Sequence, residues 1–180
     1  DFVKGLFTAL GLPKARSVLL EKERTGEREV EIKLDPESES TLDQLDGHDI
    51  VLFDDMVRTG STVVKSCQLL KQANPGKTVF AVTHFYASEE GREKMANTSI
   101  DEILALNTIP TILNRDVQGR LRRKMVVLKI EKWLARNLCE ILGVAAPEQS
   151  SLYQIDMSSK NRRFQHKIWM SEELRGLNKA

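Results

Sequence analysis

The sequence is poor in cysteine, in long apolar runs and in charge of one sign. Only two cysteines occur, Cys67 and Cys139. They allow one pair at most, too few for a disulfide framework. Both fall in stretches with amphipathic helical spacing and read as small buried hydrophobes of a reducing compartment. No apolar run reaches the length needed to span a bilayer, and no secretory signal pattern is visible. The expectation is therefore a cytoplasmic chain without membrane contact. The 27 basic and 26 acidic side chains leave a net charge of +1. That balance excludes a global pull toward nucleic acid or an anionic membrane, so any anion site must be local. Internal repeats are absent.

What is present is an ordinary soluble mixture, 41% hydrophobic and 29% charged over 180 residues, enough for one domain with a real core. The chain opens at Asp1 without a methionine and is already helical in pattern, which points to a piece of a longer protein. Residues 2–10 carry apolar side chains at helical spacing, and Gly11 and Pro13 stop them. Residues 17–20 read as a short buried strand, and residues 29–34 alternate like an exposed strand or hairpin arm. Residues 35–40 are a loop. Residues 49–53 form a continuous apolar strand of the kind found in parallel sheets covered on both faces. A polar turn over residues 54–60 leads into a helix over 61–72, ended by Pro75-Gly76, and a strand over 78–82 completes a βαβ unit. Ser88 is placed to cap a helix over 89–96. A strand over 103–106, a turn at Gln118-Gly119, a strand over 125–130 and an amphipathic helix over 131–142 closed by Gly143 follow. This alternation predicts an α/β domain with a mostly parallel sheet. Beyond residue 145 the periodicity fades, and residues 146–180 read as a C-terminal extension with a weakly basic stretch over 160–167.

The chemistry concentrates in residues 54–62. Two carboxylates, Asp54 and Asp55, leave the carboxyl end of a strand, where open α/β sheets place their ligands. A Thr59-Gly60-Ser61-Thr62 run then opens a helix. Glycine lets the backbone approach a ligand closely, and the free N–H groups of a first helical turn bind an anion. The hydroxyls add donors, while the carboxylates can accept from sugar hydroxyls or hold a magnesium ion through water. An acid pair beside a phosphate cradle suits a phosphorylated sugar. The plainer reading makes Ser61 an N-cap and the aspartates solvated loop residues.

Residues 53–62, Phe53-Asp54-Asp55-Met56-Val57-Arg58-Thr59-Gly60-Ser61-Thr62, resemble the phosphoribosyl pyrophosphate motif of the type I phosphoribosyltransferase fold. Three further stretches resemble ribose-phosphate pyrophosphokinases. Leu19-Leu20-Glu21-Lys22-Glu23-Arg24 is similar to a catalytic strand end with lysine and arginine one residue apart. Ala81-Val82-Thr83-His84 and Asn107-Thr108-Ile109-Pro110 are similar to two strand-end signatures. The resemblance runs from about residue 1 to 142. It implies a phosphoribosyltransferase-type domain over residues 1–145, without its first strand, with helices on both faces of the sheet.

The same resemblance implies roles. Asp54 and Asp55 would hold the ribose hydroxyls, Thr59, Gly60, Ser61 and Thr62 the 5-phosphate, and Arg58 would pair with phosphate or turn outward. Lys22 and Arg24 would be catalytic, stabilising a diphosphoryl group moving from the co-substrate ATP to the anomeric hydroxyl. Asp1 would lie near Mg2+. The implied partners are small molecules and further copies of the chain. Two departures stand out: Arg58 replaces the family's usual acid, and Phe2-Val3 replaces a glycine pair. The family's ATP site also draws on an N-terminal half outside this sequence. A phosphoribosyltransferase consuming phosphoribosyl pyrophosphate, and a non-catalytic regulatory paralogue, remain open alternatives. His84 reads as a hydrogen-bonded structural histidine, Arg120-Leu121-Arg122-Arg123-Lys124 as a solvated basic edge, Trp133 as core or interface, and Trp169 as an anchor.

Overall fold

The computed structural model describes residues 2–9, 11, 16–24, 30–38, 40–146 and 154–156. After a short helix α1 (Phe2–Ala9), strands β1 (Leu20–Arg24) and β2 (Val30–Leu34) form an antiparallel hairpin. A βα alternation follows: β3 (Ile50–Val57), α2 (Ser61–Lys71), β4 (Thr78–Phe85), α3 (Glu89–Ala96), β5 (Glu102–Leu106), α4 (Arg115–Gln118), β6 (Met125–Lys129) and α5 (Glu131–Leu142). Strand β7 (Gln154–Asp156) closes the five-stranded sheet β3-β4-β5-β6-β7. β3 to β6 are parallel, as the alternation predicts, and β7 is antiparallel to β6.

Register decides what is buried. Leu52, Phe80, Ile103 and Met125 are paired across four neighbouring strands, and so are Asp54, Val82, Ala105 and Val127. Side chains alternate along a strand, so both rows project from one face. α2 covers that face with Val63 and Cys67, and α3 with Met95; all three are buried in one cluster with Phe80, Val82 and Ile103. Burial of a phenylalanine such as Phe80 contributes about 1.5–3 kcal/mol. Cys67 behaves as the expected buried hydrophobe, its thiol pushed up to about 11 mainly by burial. Cys139 is only half-buried.

The opposite face departs from expectation at β3. This strand is an edge strand, and Val51 and Phe53 are each 41% exposed. Its continuous apolar run predicted cover on both sides, but a hydrophobic run carries no information on its place in the sheet. The strand also continues through Val57, so the aspartates lie within it rather than in a turn.

Residues 17–20 are not a buried strand. Val18 packs on a small second cluster with Leu45, Leu70 and Ala73, whereas Leu19 is exposed and the strand proper begins at Leu20. β1 is charged almost throughout; it is held by its ladder to β2, and β2 packs against α2. At the other end, Gln118-Gly119 is no simple turn: α4 runs directly into a 3-10 helix, Gly119–Arg123. The extension joins the sheet through β7, a strand too short and polar to be legible as periodicity. Trp133 on α5 is 39% exposed, beside the more exposed Leu134 and Leu138.

Candidate functional site

The βα turn after β3 is shaped by backbone constraints. Gly60 is the N-cap of α2, at φ +71° and ψ −2°, and no side chain caps the helix. Ser61 is therefore the first helical residue and not the cap. The opening N–H groups of α2 have no intrahelical acceptor, as at any helix start, and lie beside the hydroxyls of Thr59, Ser61 and Thr62. Thr59 Oγ1 lies 3.4 Å from Ser61 Oγ.

Helix α3 backs this turn. Ser88 accepts from the Gly91 amide at 3.1 Å, the cap that its sequence position predicts. The Tyr86 amide donates to Val57 O at 3.0 Å and the Ser88 amide to Arg58 O at 2.8 Å, tying the β4–α3 connection to the loop. A Cβ at Gly91 would lie 2.8 Å from Thr59 O and 2.9 Å from its carbonyl carbon, and one at Gly60 3.2 Å from Gly91 O. The two glycines permit a backbone-to-backbone contact that no other residue admits. Gly91 was not among the sequence candidates. Its signal was a glycine inside a short helix, which costs about 1 kcal/mol relative to alanine and so asks for a reason.

Asp54 and Asp55 occupy successive positions of β3. The Asp55 amide donates to Asp54 Oδ1 at 2.9 Å. Burial pushes the Asp54 carboxyl above the ordinary carboxylate range; the Asp55 side chain adds to this through hydrogen bonding and charge repulsion. The Asp55 amide acts in the opposite direction, and so does the charge of Lys22. Lys22 is exposed on β1. A half-buried carboxyl held above its usual pKa gains from any ligand that donates to it or any cation that pairs with it.

Of the other predicted residues, Arg58 is exposed and Gly60 buried, and Ser61 and Thr62 are half-buried. The Arg24 backbone pairs with Val30; its side chain, Asp1, Trp169 and residues 160–167 lie outside the described residues. Among the described residues no cluster of three or more acidic, histidine or cysteine side chains could hold a metal. No described helix is long and apolar enough to cross a membrane.

The basic edge is partly corrected. Arg120, Arg122 and Arg123 line, with Asp116 and Gly119, a cavity of about 320 Å³. Lys124 is half-buried: it donates to Thr98 O at 3.0 Å, and burial pushes its ammonium down.

At the carboxyl ends of β4 and β5 the two remaining signature stretches meet. His84 and Asn107 form an antiparallel bridge, and His84 Nδ1 lies 3.0 Å from Thr108 Oγ1. Asn107 accepts from the Ile130 amide at 3.0 Å and donates to Glu131 Oε1 at 2.7 Å, so a side chain from β5's end is tied to the start of α5.

Comparison with known proteins agrees with this geometry. The phosphoribosyl transferase domain family matches residues 2–114. The ribose-phosphate pyrophosphokinase of Corynebacterium glutamicum is 34% identical over 97 residues, 54% of this chain and 28% of that protein. Ribose-phosphate pyrophosphokinase 2 of Saccharomyces cerevisiae is 32% identical over 99 residues, 55% of this chain and 29% of that protein. The chain thus spans under a third of the length of these relatives. The crystal structure of phosphoribosylpyrophosphate synthetase from Mycobacterium smegmatis shares the fold, with a TM-score of 0.57 at 22% identity over 78% of this chain and 42% of that one. A glycine-backed loop after a parallel strand, a carboxylate pair and a family match over residues 2–114 lead to one conclusion: the chain belongs to the phosphoribosyl transferase domain family.

Proposed function

We propose that this chain is the sugar-phosphate-binding part of a ribose-phosphate diphosphokinase, which transfers a diphosphoryl group from ATP to the anomeric hydroxyl of ribose 5-phosphate. The observation that carries the reading is the loop at the end of β3: Asp54 and Asp55 lead into a helix start capped by Gly60 and closed against Gly91, the shape of an anion cradle beside two carboxylates.

In this reading the first-turn amides of α2 and the hydroxyls of Thr59, Ser61 and Thr62 bind the 5-phosphate. Asp54 and Asp55 accept from the ribose hydroxyls, and this contact offsets the burial of Asp54. Lys22, with Arg24, neutralises charge on the diphosphoryl group, the main contribution a protein makes to phosphoryl transfer. Two carboxylates suit one magnesium ion that keeps waters and phosphate oxygens as its other ligands; bound there, it would draw charge from the phosphates. In this reading the ATP site draws on a further part of the protein, in keeping with a chain that spans under a third of its relatives' length. Self-association belongs to the same proposal.

One observation favours a second reading. Arg58 is exposed where the family carries an acid, as a loop turned to regulatory binding would allow. Loss of turnover on Lys22→Ala in the longer parent would dismiss that reading.

The test is calorimetric titration of ribose 5-phosphate with magnesium into the chain and its Asp54→Ala and Thr62→Ala variants. Saturable binding abolished in both variants is expected. Binding that survives both substitutions would refute the loop assignment.

A further inference from the structure

The basic stretch before β6 takes no part in the loop over residues 54–62, yet it is held as firmly. Gln118 just before the 3-10 helix Gly119–Arg123, Leu121 within it and Met125 just after it are all buried. Lys124 is drawn inward to Thr98 O. The backbone is thus anchored on both sides, and the arginines stand where the helix puts them. Three residues per turn set Arg120 and Arg123 one above the other. Arg122 joins them around the cavity of about 320 Å³, which Gly119 and Asp116 also line.

Like charges gathered this way repel one another unless something answers them. Among the described residues nothing does. The ion pairs there are Lys33 with Glu23 and Glu31, and Lys94 with Glu90; none involves these guanidiniums. Asp116 shares the cavity and forms no ion pair with any of the three, so the lining keeps an excess of two positive charges. A guanidinium presents a planar fork of donors that meets phosphate oxygens in pairs. A single phosphate ion has oxygens for two such forks at most, whereas a diphosphate has enough for three.

We propose that Arg120, Arg122 and Arg123 form a second anion site, which binds the diphosphoryl or triphosphoryl group of a small molecule. The 3-10 helix leads into the amino end of β6, and the Ile103 amide donates to Lys124 O at 2.7 Å at the start of β5. The loop over residues 57–60 leaves the carboxyl end of β3, and β3 to β6 are parallel. The two sites therefore use different residues at opposite ends of the sheet, and this one does not depend on the sugar-phosphate reading.

The experiment titrates inorganic diphosphate, without magnesium, into the 15N-labelled whole chain. Saturable shifts are expected at the amides of residues 119–123 and at the Nε–H signals of the three arginines, with affinity falling as salt is added. Arg120→Gln, Arg122→Gln and Arg123→Gln should each weaken binding about tenfold, the scale of one hydrogen bond to a charged group. Arg122→Lys keeps the charge without the fork and should fall between. Urea midpoints of the glutamine variants at or above that of the wild type would show that binding, and not folding, is lost. Asp54→Ala should leave the shifts at residues 119–123 intact. A nucleoside diphosphate titrated in parallel separates two sources of the anion: tighter binding than inorganic diphosphate assigns the site to esters, equal or weaker binding to the free ion, and both support it. Shifts confined to residues 59–63, or inorganic phosphate binding residues 119–123 as tightly as diphosphate does, would overturn the proposal. So would affinity at residues 119–123 that survives replacement of all three arginines by glutamine.

Discussion

Two regions supply charged groups to the candidate site, and they are built in opposite ways. The loop over residues 57–60 is fixed by backbone: its carbonyls accept from the Tyr86 and Ser88 amides, and the Gly91 backbone lies against it. Among the described residues of the β1–β2 hairpin that carries Lys22, the ion pairs are exposed ones, Lys33 with Glu23 at 2.9 Å and with Glu31 at 3.2 Å. The contrast teaches where precision is needed. A phosphate cradle works through amide directions, which only a rigid backbone sets, while a charge-neutralising lysine acts through a field that tolerates movement.

The largest effect is expected where the rigid region is breached. Gly91→Ala gains about 1 kcal/mol of helix propensity. It also forces a methyl to within 3 Å of the Thr59 backbone on a site that cannot retreat; such overpacking costs about 1–3 kcal/mol. The net result should be a lower urea midpoint and weakened ribose 5-phosphate binding. Ser88→Ala removes the α3 cap bond and should cost about 1 kcal/mol, with a smaller loss of affinity. Preserved stability in either variant would show that α3 does not hold the loop.

Asp54→Asn should separate stability from function. Because the folded state binds the Asp54 proton more tightly than the unfolded chain does, stability falls as pH rises through the folded pKa. The variant keeps an acceptor for the Asp55 amide but carries no charge. It should therefore be more stable than the parent at neutral pH, lose that advantage in acid below the ordinary carboxylate range, and bind ribose 5-phosphate poorly. Denaturant unfolding across pH checks the sign; a variant less stable at neutral pH would contradict the account of Asp54. The smallest effect belongs to the hairpin surface. Lys33→Ala breaks both exposed ion pairs and should leave the unfolding midpoint unchanged within error, since such pairs are screened by water and salt.

The same contrast explains what the sequence could disclose. The loop was legible because its chemistry is local: aspartates, a glycine and hydroxyls in one short run, followed by helical periodicity. The βα alternation was legible because Phe80, Ile103 and Val127 must be apolar to lie in a covered sheet. The hairpin strand β1 was misplaced toward residues 17–20, since a charged strand such as Leu20–Arg24 is defined by its partner β2 and by α2 rather than by its own hydrophobicity. The open side of β3 at Val51 and Phe53 depends on strand order, which no single segment encodes. Gly91 and the His84–Thr108 pair gain their meaning only when segments far apart in the chain are brought together.

The most direct test of the central claim is amide chemical-shift mapping during a titration with ribose 5-phosphate and magnesium. The account predicts that the largest shifts fall on the amides of residues 59–63, at the opening turn of α2, with smaller ones at Asp54 and Asp55. Shifts confined to the arginine-lined cavity around Arg120, Arg122 and Arg123, with the α2 amides unmoved, would contradict it.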